Sequence, residues 1–317
     1  MKATLFSALF SALFAAMFAV AAPGFAQEAP AQPNRYLAAL PTPAERFEIK
    51  GMLVERHGSG PRALILVPGL SSGAWVWQQT VRDFAATNTV YVVTLPGFDG
   101  RPAVAGEPFD NARDALAELI VSRKLVKPVV IGHSIGAALS YALAQEHPDR
   151  VGGVIGIDGL PVFPRTENMT PEQRAAMADG ARTQMSALSG PAFEANQQQY
   201  MRGIGMVDMG KADDAAKLSA RSDPQAVGAY AGALMARDLR PGMSRISAPV
   251  LLLAPYYAPD APYIGNISKD DKVAYYRALM GATPKLEVEA IDNARHFPMI
   301  DQPQATSDAI RRFLKSL

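Results

Sequence analysis

The stretch Pro128-Val129-Val130-Ile131-Gly132-His133-Ser134-Ile135-Gly136-Ala137-Ala138-Leu139-Ser140-Tyr141-Ala142-Leu143-Ala144 decides the fold. Its β-branched opening predicts a buried strand, and its Ala- and Leu-rich close predicts a helix. Between them Gly132–Gly136 reads G-x-S-x-G, which at a strand-to-helix turn is the spacing of a nucleophile elbow. Such a turn is so tight that the serine takes a strained backbone conformation. Only residues without bulk fit on either side, which is the part of Gly132 and Gly136. Ser134 Oγ is then held above the sheet edge, and the helix N-terminus beneath it favours developing negative charge. The pentapeptide also arises by chance in glycine-rich chains; the strand before it and the helix after it give it meaning.

Working outward, Ala63–Val67 and Thr89–Val93 are continuous apolar runs, as in strands buried on both faces. A short pair of strands flanks Gly51 between Phe47 and Val54. A helix is expected around Asn111 to Lys124, and another strand over Val151 to Ile157. Strands alternating with helices imply a mostly parallel sheet with helices on both faces. The pattern changes after Pro164. Residues 165–245 carry helical periodicity with breaks at Gly190-Pro191, Gly210 and Asp223-Pro224, and read as a helical cap inserted into an α/β core. That core comprises residues 44–164 and 246–317. Its second part predicts a strand at Pro249–Leu253, a helix near Lys269 to Met280, a strand over Lys285 to Ala290 and a last helix from Gln304 to Lys315.

The chain begins differently. Lys2 precedes an uncharged apolar run from Ala3 to Ala22, then Pro23, Gly24 and Ala26, so residues 1–26 read as a secretory signal peptide cut after Ala26. The competing reading is a membrane anchor, since the run is almost long enough to span. The small-residue site favours cleavage, a periplasmic or secreted protein, and no stable membrane insertion afterwards. Residues 27–43, rich in Ala, Pro and Gln, read as a flexible lead-in. Of 31 basic side chains the leader removes only Lys2, leaving 30 against 30 acids. That balance, without a basic cluster, argues against nucleic acid or an anionic membrane as partner. With no cysteine there is no disulfide, Fe–S cluster or thiolate metal site, and a chain of 317 residues needs no such staple.

A serine hydroxyl needs a general base to attack at neutral pH, usually histidine. The chain has four histidines. His57 lies in the early hairpin, His133 leaves the elbow in another direction, and His147 ends a helix, where a cation suits the dipole. His296, in the loop after the last strand, is the base by elimination and fits the chain order serine, acid, histidine.

From Phe47 to its C-terminus the chain resembles the α/β-hydrolase superfamily, on the strand order, Gly132–Gly136, His296 and the segment Val67-Pro68-Gly69-Leu70-Ser71-Ser72-Gly73-Ala74-Trp75-Val76-Trp77. The resemblance implies a mostly parallel eight-stranded sheet with a helical cap. It also implies oxyanion amides at Leu70, after the loop glycine Gly69, and at Ile135, after the nucleophile. Pro68 and Thr94 depart from the family, which commonly has His and Asp there. The family usually takes its acid shortly after the Pro249–Leu253 strand, but Ala254–Ala258 holds no carboxylate. Asp260, from a slightly longer loop, is the first expectation. Asp158, at the end of the earlier strand, is the alternative, and its Asp-Gly sequence also suits an ordinary turn. Asp292 reads as a turn residue.

A serine nucleophile points to acyl transfer and to carboxylic-ester hydrolysis, with small or medium hydrophobic acyl groups expected and no cofactor or metal required. A peptidase, amidase or C–C hydrolase with the same residues, and a non-catalytic binder on the same fold, are the competing readings. The cap's methionines, Met185 among them, suit an adaptable apolar wall, though core packing accounts for most of them. Trp75, Phe98 and Phe163 are candidate pocket residues on weaker grounds. Oligomeric state is not legible.

Overall fold

The computed structural model describes residues 34–38 and 41–317. The signal peptide expected over residues 1–26 lies outside the described residues, as does much of the lead-in. Among the described residues no helix is long and apolar enough to cross a membrane.

Eight strands form one sheet: β1 Glu45–Ile49, β2 Met52–His57, β3 Arg62–Val67, β4 Asn88–Thr94, β5 Val129–His133, β6 Gly153–Ile157, β7 Val250–Tyr256 and β8 Leu286–Asp292. Their spatial order is β1-β2-β4-β3-β5-β6-β7-β8. β2 is antiparallel to both β1 and β4, and every pairing from β4 to β8 is parallel. Alternation along the central strands divides the core. Ile65, Val67 and Val130 face one apolar layer, and Leu64, Leu66, Val129 and Ile131 the other. Both faces are therefore covered, and the strands read as unbroken apolar runs.

The order also locates the site. From β3 the chain steps outward to β4 and then returns to the other side of β3 as β5. Loops leaving β3 and β5 thus diverge from a common crevice at the carboxyl ends of the strands, where α/β sheets bind ligands. Between β6 and β7 the chain is helical, with helices Pro171–Ser186, Gly190–Tyr200, Met209–Ser219 and Pro224–Ala236. Their start signals are local: Thr170 and Gln173 form a capping box, and Asp208 and Asp223 cap the two later helices.

A flexible lead-in is expected over residues 27–43, yet part of it is docked. Arg35–Ala38 form one helical turn that buries Tyr36, whose ring lies 5.5 Å from that of Trp75. Its hydroxyl meets the Lys211 carbonyl at 3.3 Å. A buried phenol with a partner is anchored at both its apolar and its polar end.

Candidate active site

At the end of β5, Ser134 has φ 54° and ψ −121°, a conformation that costs about 1–3 kcal/mol and persists only when its surroundings enforce it. The enforcement is steric. A Cβ on Gly132 would come within 2.1 Å of the Gly136 carbonyl oxygen, and one on Gly136 within 2.3 Å of the Val67 oxygen. The helix Ile135–Glu146 can therefore start against β5 and β3 only if both residues are glycine. The Ser134 amide is tied to the Ile157 carbonyl of β6 at 2.9 Å, which fixes the turn to the neighbouring strand.

The structure places Asp158, not Asp260, against His296. His296 Nδ1 lies 2.6 Å from Asp158 Oδ2. A carboxylate only accepts, so Nδ1 carries the proton and Nε2 is left as the basic nitrogen. The expectation for Asp260 is corrected. Its carboxylate takes a bidentate pair from Arg295, Nε to Oδ2 at 2.8 Å and an Nη to Oδ1 at 2.6 Å. The physical reason lies in strand order. β6 runs beside β5, so a carboxylate at the end of β6 is one strand from the nucleophile, whereas the Ala258–Ile264 turn carries Asp260 toward the Arg295 side of the loop. Asp292 pairs with Lys269 at 2.9 Å, away from the histidine.

Two residues that sequence reasoning missed act on the acid, one by a hydrogen bond and one by its charge. Tyr276 donates its hydroxyl to Asp158 Oδ1, and Lys272 sits one helical turn earlier on the same Lys269–Met280 helix. Their i, i+4 spacing on a helix following β7 was the available signal. Burial pushes the Asp158 carboxyl upward. The Lys272 ammonium and the hydrogen bonds from His296 and Tyr276 outweigh it and bring the group down to about 2. The carboxylate is thus charged at neutral pH despite being largely buried.

His133 is fully buried, and burial holds its imidazole well below the usual range, so it is neutral. Its Nε2 donates to the His296 carbonyl at 2.8 Å, and its ring packs 4.5 Å from those of both His296 and Phe297. The residue expected merely to leave the turn therefore buttresses the base's loop. On its other side, a Cβ on Gly69 would fall 2.6 Å from His133 Nδ1 and 3.2 Å from Ser134 Cβ. This contact brings the loop carrying Leu70 against the elbow that carries Ile135. The cap grips the same loop, since His296 and Phe297 donate their amides to the carbonyls of Ile204 and Gly205 at 3.2 and 3.1 Å. Those carbonyls belong to a π-helical turn, Met201–Gly205, a distortion often found at functional sites.

The three aromatic pocket candidates are placed elsewhere. Trp75 is fully buried between Tyr36 and Phe297. Phe98 packs on Tyr230 of the cap at 4.8 Å, and Phe163 packs with Ala178, Ala181 and Met235. Trp75 and Phe98 are wholly buried and pack the interior, and Phe163 is half-buried. No group of three or more metal-ligating side chains is found among the described residues.

Beside the crevice, Asp99 is a buried carboxyl with one cation, Arg221, at 3.3 Å. Burial raises it from its usual 3.8 to about 6, more than Arg221 lowers it. A raised acid leaves stability intact below its unfolded value and lowers it progressively as pH rises through its folded value. Asp99→Asn is therefore expected to stabilise the protein above pH 6 by about 1–3 kcal/mol. The gain should fade as pH drops from about 6 toward 4, which thermal unfolding across that range will measure.

The model described as "Alpha/beta hydrolase family" matches residues 64–309. The chain is 26% identical over 267 residues to a pimeloyl-[acyl-carrier protein] methyl ester esterase of Aeromonas hydrophila, covering 82% of this chain and 98% of that one. Among solved structures it is similar to a thermophilic esterase from Thermogutta terrifontis, with a TM-score of 0.68 at 20% identity over 86% of this chain and 99% of that one. It is also similar to the enol-lactonase from Burkholderia xenovorans LB400, with a TM-score of 0.65 at 16% identity over 86% of this chain and all of the other. At such identities the structural likenesses establish the fold alone.

Proposed function

We propose, from the premise that the chain belongs to the alpha/beta hydrolase family, that it hydrolyses carboxylic esters through an acyl-enzyme on Ser134. The observation that carries this reading is the 2.6 Å contact between His296 Nδ1 and Asp158 beside a serine held in an elbow. In this cycle His296 Nε2 removes the Ser134 hydroxyl proton as Oγ attacks the ester carbonyl. The amides of Leu70 and Ile135 receive the oxyanion, each worth on the order of 10²–10³ in rate. The same nitrogen then gives its proton to the departing alcohol. It next takes one from water, which attacks the acyl group and returns Ser134 as the hydroxyl. Asp158 fixes the tautomer throughout and stabilises the imidazolium. Each proton removed is returned, so no cofactor enters the balance.

The Aeromonas relative, a methyl ester esterase, supports an ester as the bond cleaved. Export of the chain after loss of residues 1–26 is part of the proposal, on the strength of its N-terminal composition. The test is labelling and turnover together. A fluorophosphonate should modify Ser134 stoichiometrically, and p-nitrophenyl butyrate should turn over faster than the matching p-nitroanilide. Failure of both labelling and turnover would reject the reading, and a faster anilide would move it to an amidase. Labelled protein from the native host should lie outside the cytoplasm and begin at Gln27; a cytoplasmic chain retaining Met1 would reject export.

A further inference from the structure

Between the oxyanion loop and the cap lies a small, mostly apolar cleft that has a few polar side chains set into its lining. Leu70 and Ser71 form its floor, and Asn196, Gln197 and Tyr200 reach it from the Gly190–Tyr200 helix. Met185 and Val227 close its back. The cleft adjoins the reacting groups on two sides. Leu70 follows Gly69, which abuts Ser134, and the Tyr200 ring stands edge-on to the His296 ring at 6.1 Å.

Ser71 is the informative member. It is 3% exposed, and its Oγ finds no hydrogen-bond partner among the described residues. Its φ of 54° adds backbone strain at the same position. A buried hydroxyl without a partner is costly, and native structures keep one where something else will satisfy it. Asn196 and Gln197 are also buried, 3% and 4% exposed, with Gln197 Nε2 donating to Asn196 Oδ1 at 3.2 Å. The Ser71 hydroxyl can both donate and accept, and the paired carboxamides keep the wall beside it polar. The lining holds no Lys, Arg, Asp, Glu or His, so nothing in it would balance a charged ligand.

We infer that this cleft recognises an uncharged hydrogen-bonding group, a hydroxyl or a carboxamide, on the substrate next to the scissile ester. The inference rests on the esterase reading above and replaces the hydrophobic acyl group expected from the sequence with a polar-substituted one. A hydroxyl on either the acyl or the alcohol side has the required chemistry. A site built to hydrogen-bond a substrate hydroxyl penalises the analogue lacking it far more than an apolar pocket penalises one methylene.

Two matched pairs test it: p-nitrophenyl 3-hydroxybutyrate against p-nitrophenyl butyrate for the acyl side, and 3-hydroxybutyl butyrate against butyl butyrate for the alcohol side. One pair should show a preference in kcat/KM for the hydroxylated ester on the order of 10³-fold or more. Ser71→Ala and, independently, Gln197→Met should each bring that ratio toward one, with thermal unfolding confirming that the variants fold. Equal rates within both pairs, or a ratio that both variants leave intact, would overturn the inference while leaving the esterase reading in place. If no ester turns over, the esterase reading falls, and calorimetry decides the cleft separately. Ser134→Ala protein should bind methyl 3-hydroxybutyrate more tightly than methyl butyrate, and equal binding would sink the cleft as well.

Discussion

Ser134→Ala is expected to lower kcat on p-nitrophenyl butyrate by about 10⁴- to 10⁶-fold while leaving the fold intact. The size of the loss follows from what the residue does. Without Oγ there is no acyl-enzyme, and only the oxyanion amides and substrate binding remain to catalyse attack by water. The fold survives because the elbow is held by the neighbours of Ser134, not by its hydroxyl. Gly132 and Gly136 admit the close approach of strand and helix, and the Ser134 amide reaches the Ile157 carbonyl whatever the side chain. Ser134→Gly separates strain from chemistry. Glycine adopts φ 54° without penalty, so this variant should be equally inactive yet more stable, by on the order of 1 kcal/mol. The comparison requires kcat for each variant and the shift of each thermal midpoint from wild type. Residual activity above about one per cent in both would show that another nucleophile carries the reaction.

Much of the architecture was legible because it rests on short-range patterns. Apolar runs at Ala63–Val67 and Pro249–Leu253 are what strands buried on both faces must look like, and the observed β3 and β7 contain them. The elbow announced itself because its sterics exclude everything but glycine at two fixed positions. The cap helices were visible through their periodicity and through breaks such as Gly190-Pro191 and Asp223-Pro224, where two of the observed helices begin. Legibility ended where long-range geometry decides. Nothing near Asp158 in sequence reveals that Tyr276 and Lys272, more than a hundred residues later, flank its carboxylate. Nor does anything near Tyr36 show that its ring docks on Trp75. The pocket was misread for a related reason. Large aromatics draw attention as binding residues, but Trp75 and Phe98 are wholly buried among core and cap. The residues that do line the cleft, Ser71 and Gln197, are polar types that pass unnoticed in sequence. Only their burial singles them out.

The acid supplies the second large effect, because two carboxylates competed for one role and the structure separates them. Asp158→Asn is expected to cost up to about 10⁴ in kcat, and Asp260→Asn less than about tenfold. The first loss has a definite origin in hydrogen-bond direction. Tyr276 already donates to Oδ1 of residue 158, so an asparagine there will turn its oxygen to Tyr276 and its NH₂ toward His296. Nδ1 of His296 must then accept instead of donate, which moves the ring proton to Nε2 and removes the base. Tyr276→Phe tests that logic. It frees Oδ1, so adding it to Asp158→Asn should restore part of the lost rate by letting the amide flip, although alone it should slow the enzyme. Asp260 acts differently. It braces Arg295, whose guanidinium also reaches the carbonyls of Arg202 and Met206, and the pair is partly open to solvent. Losing it loosens the loop without changing a proton, so its cost should appear mainly as a lower thermal midpoint, worth about 1 kcal/mol or less. Steady-state kinetics and unfolding on the two asparagine variants decide the matter. A large kcat loss in Asp260→Asn beside a mild one in Asp158→Asn would return the acid's role to the loop after β7.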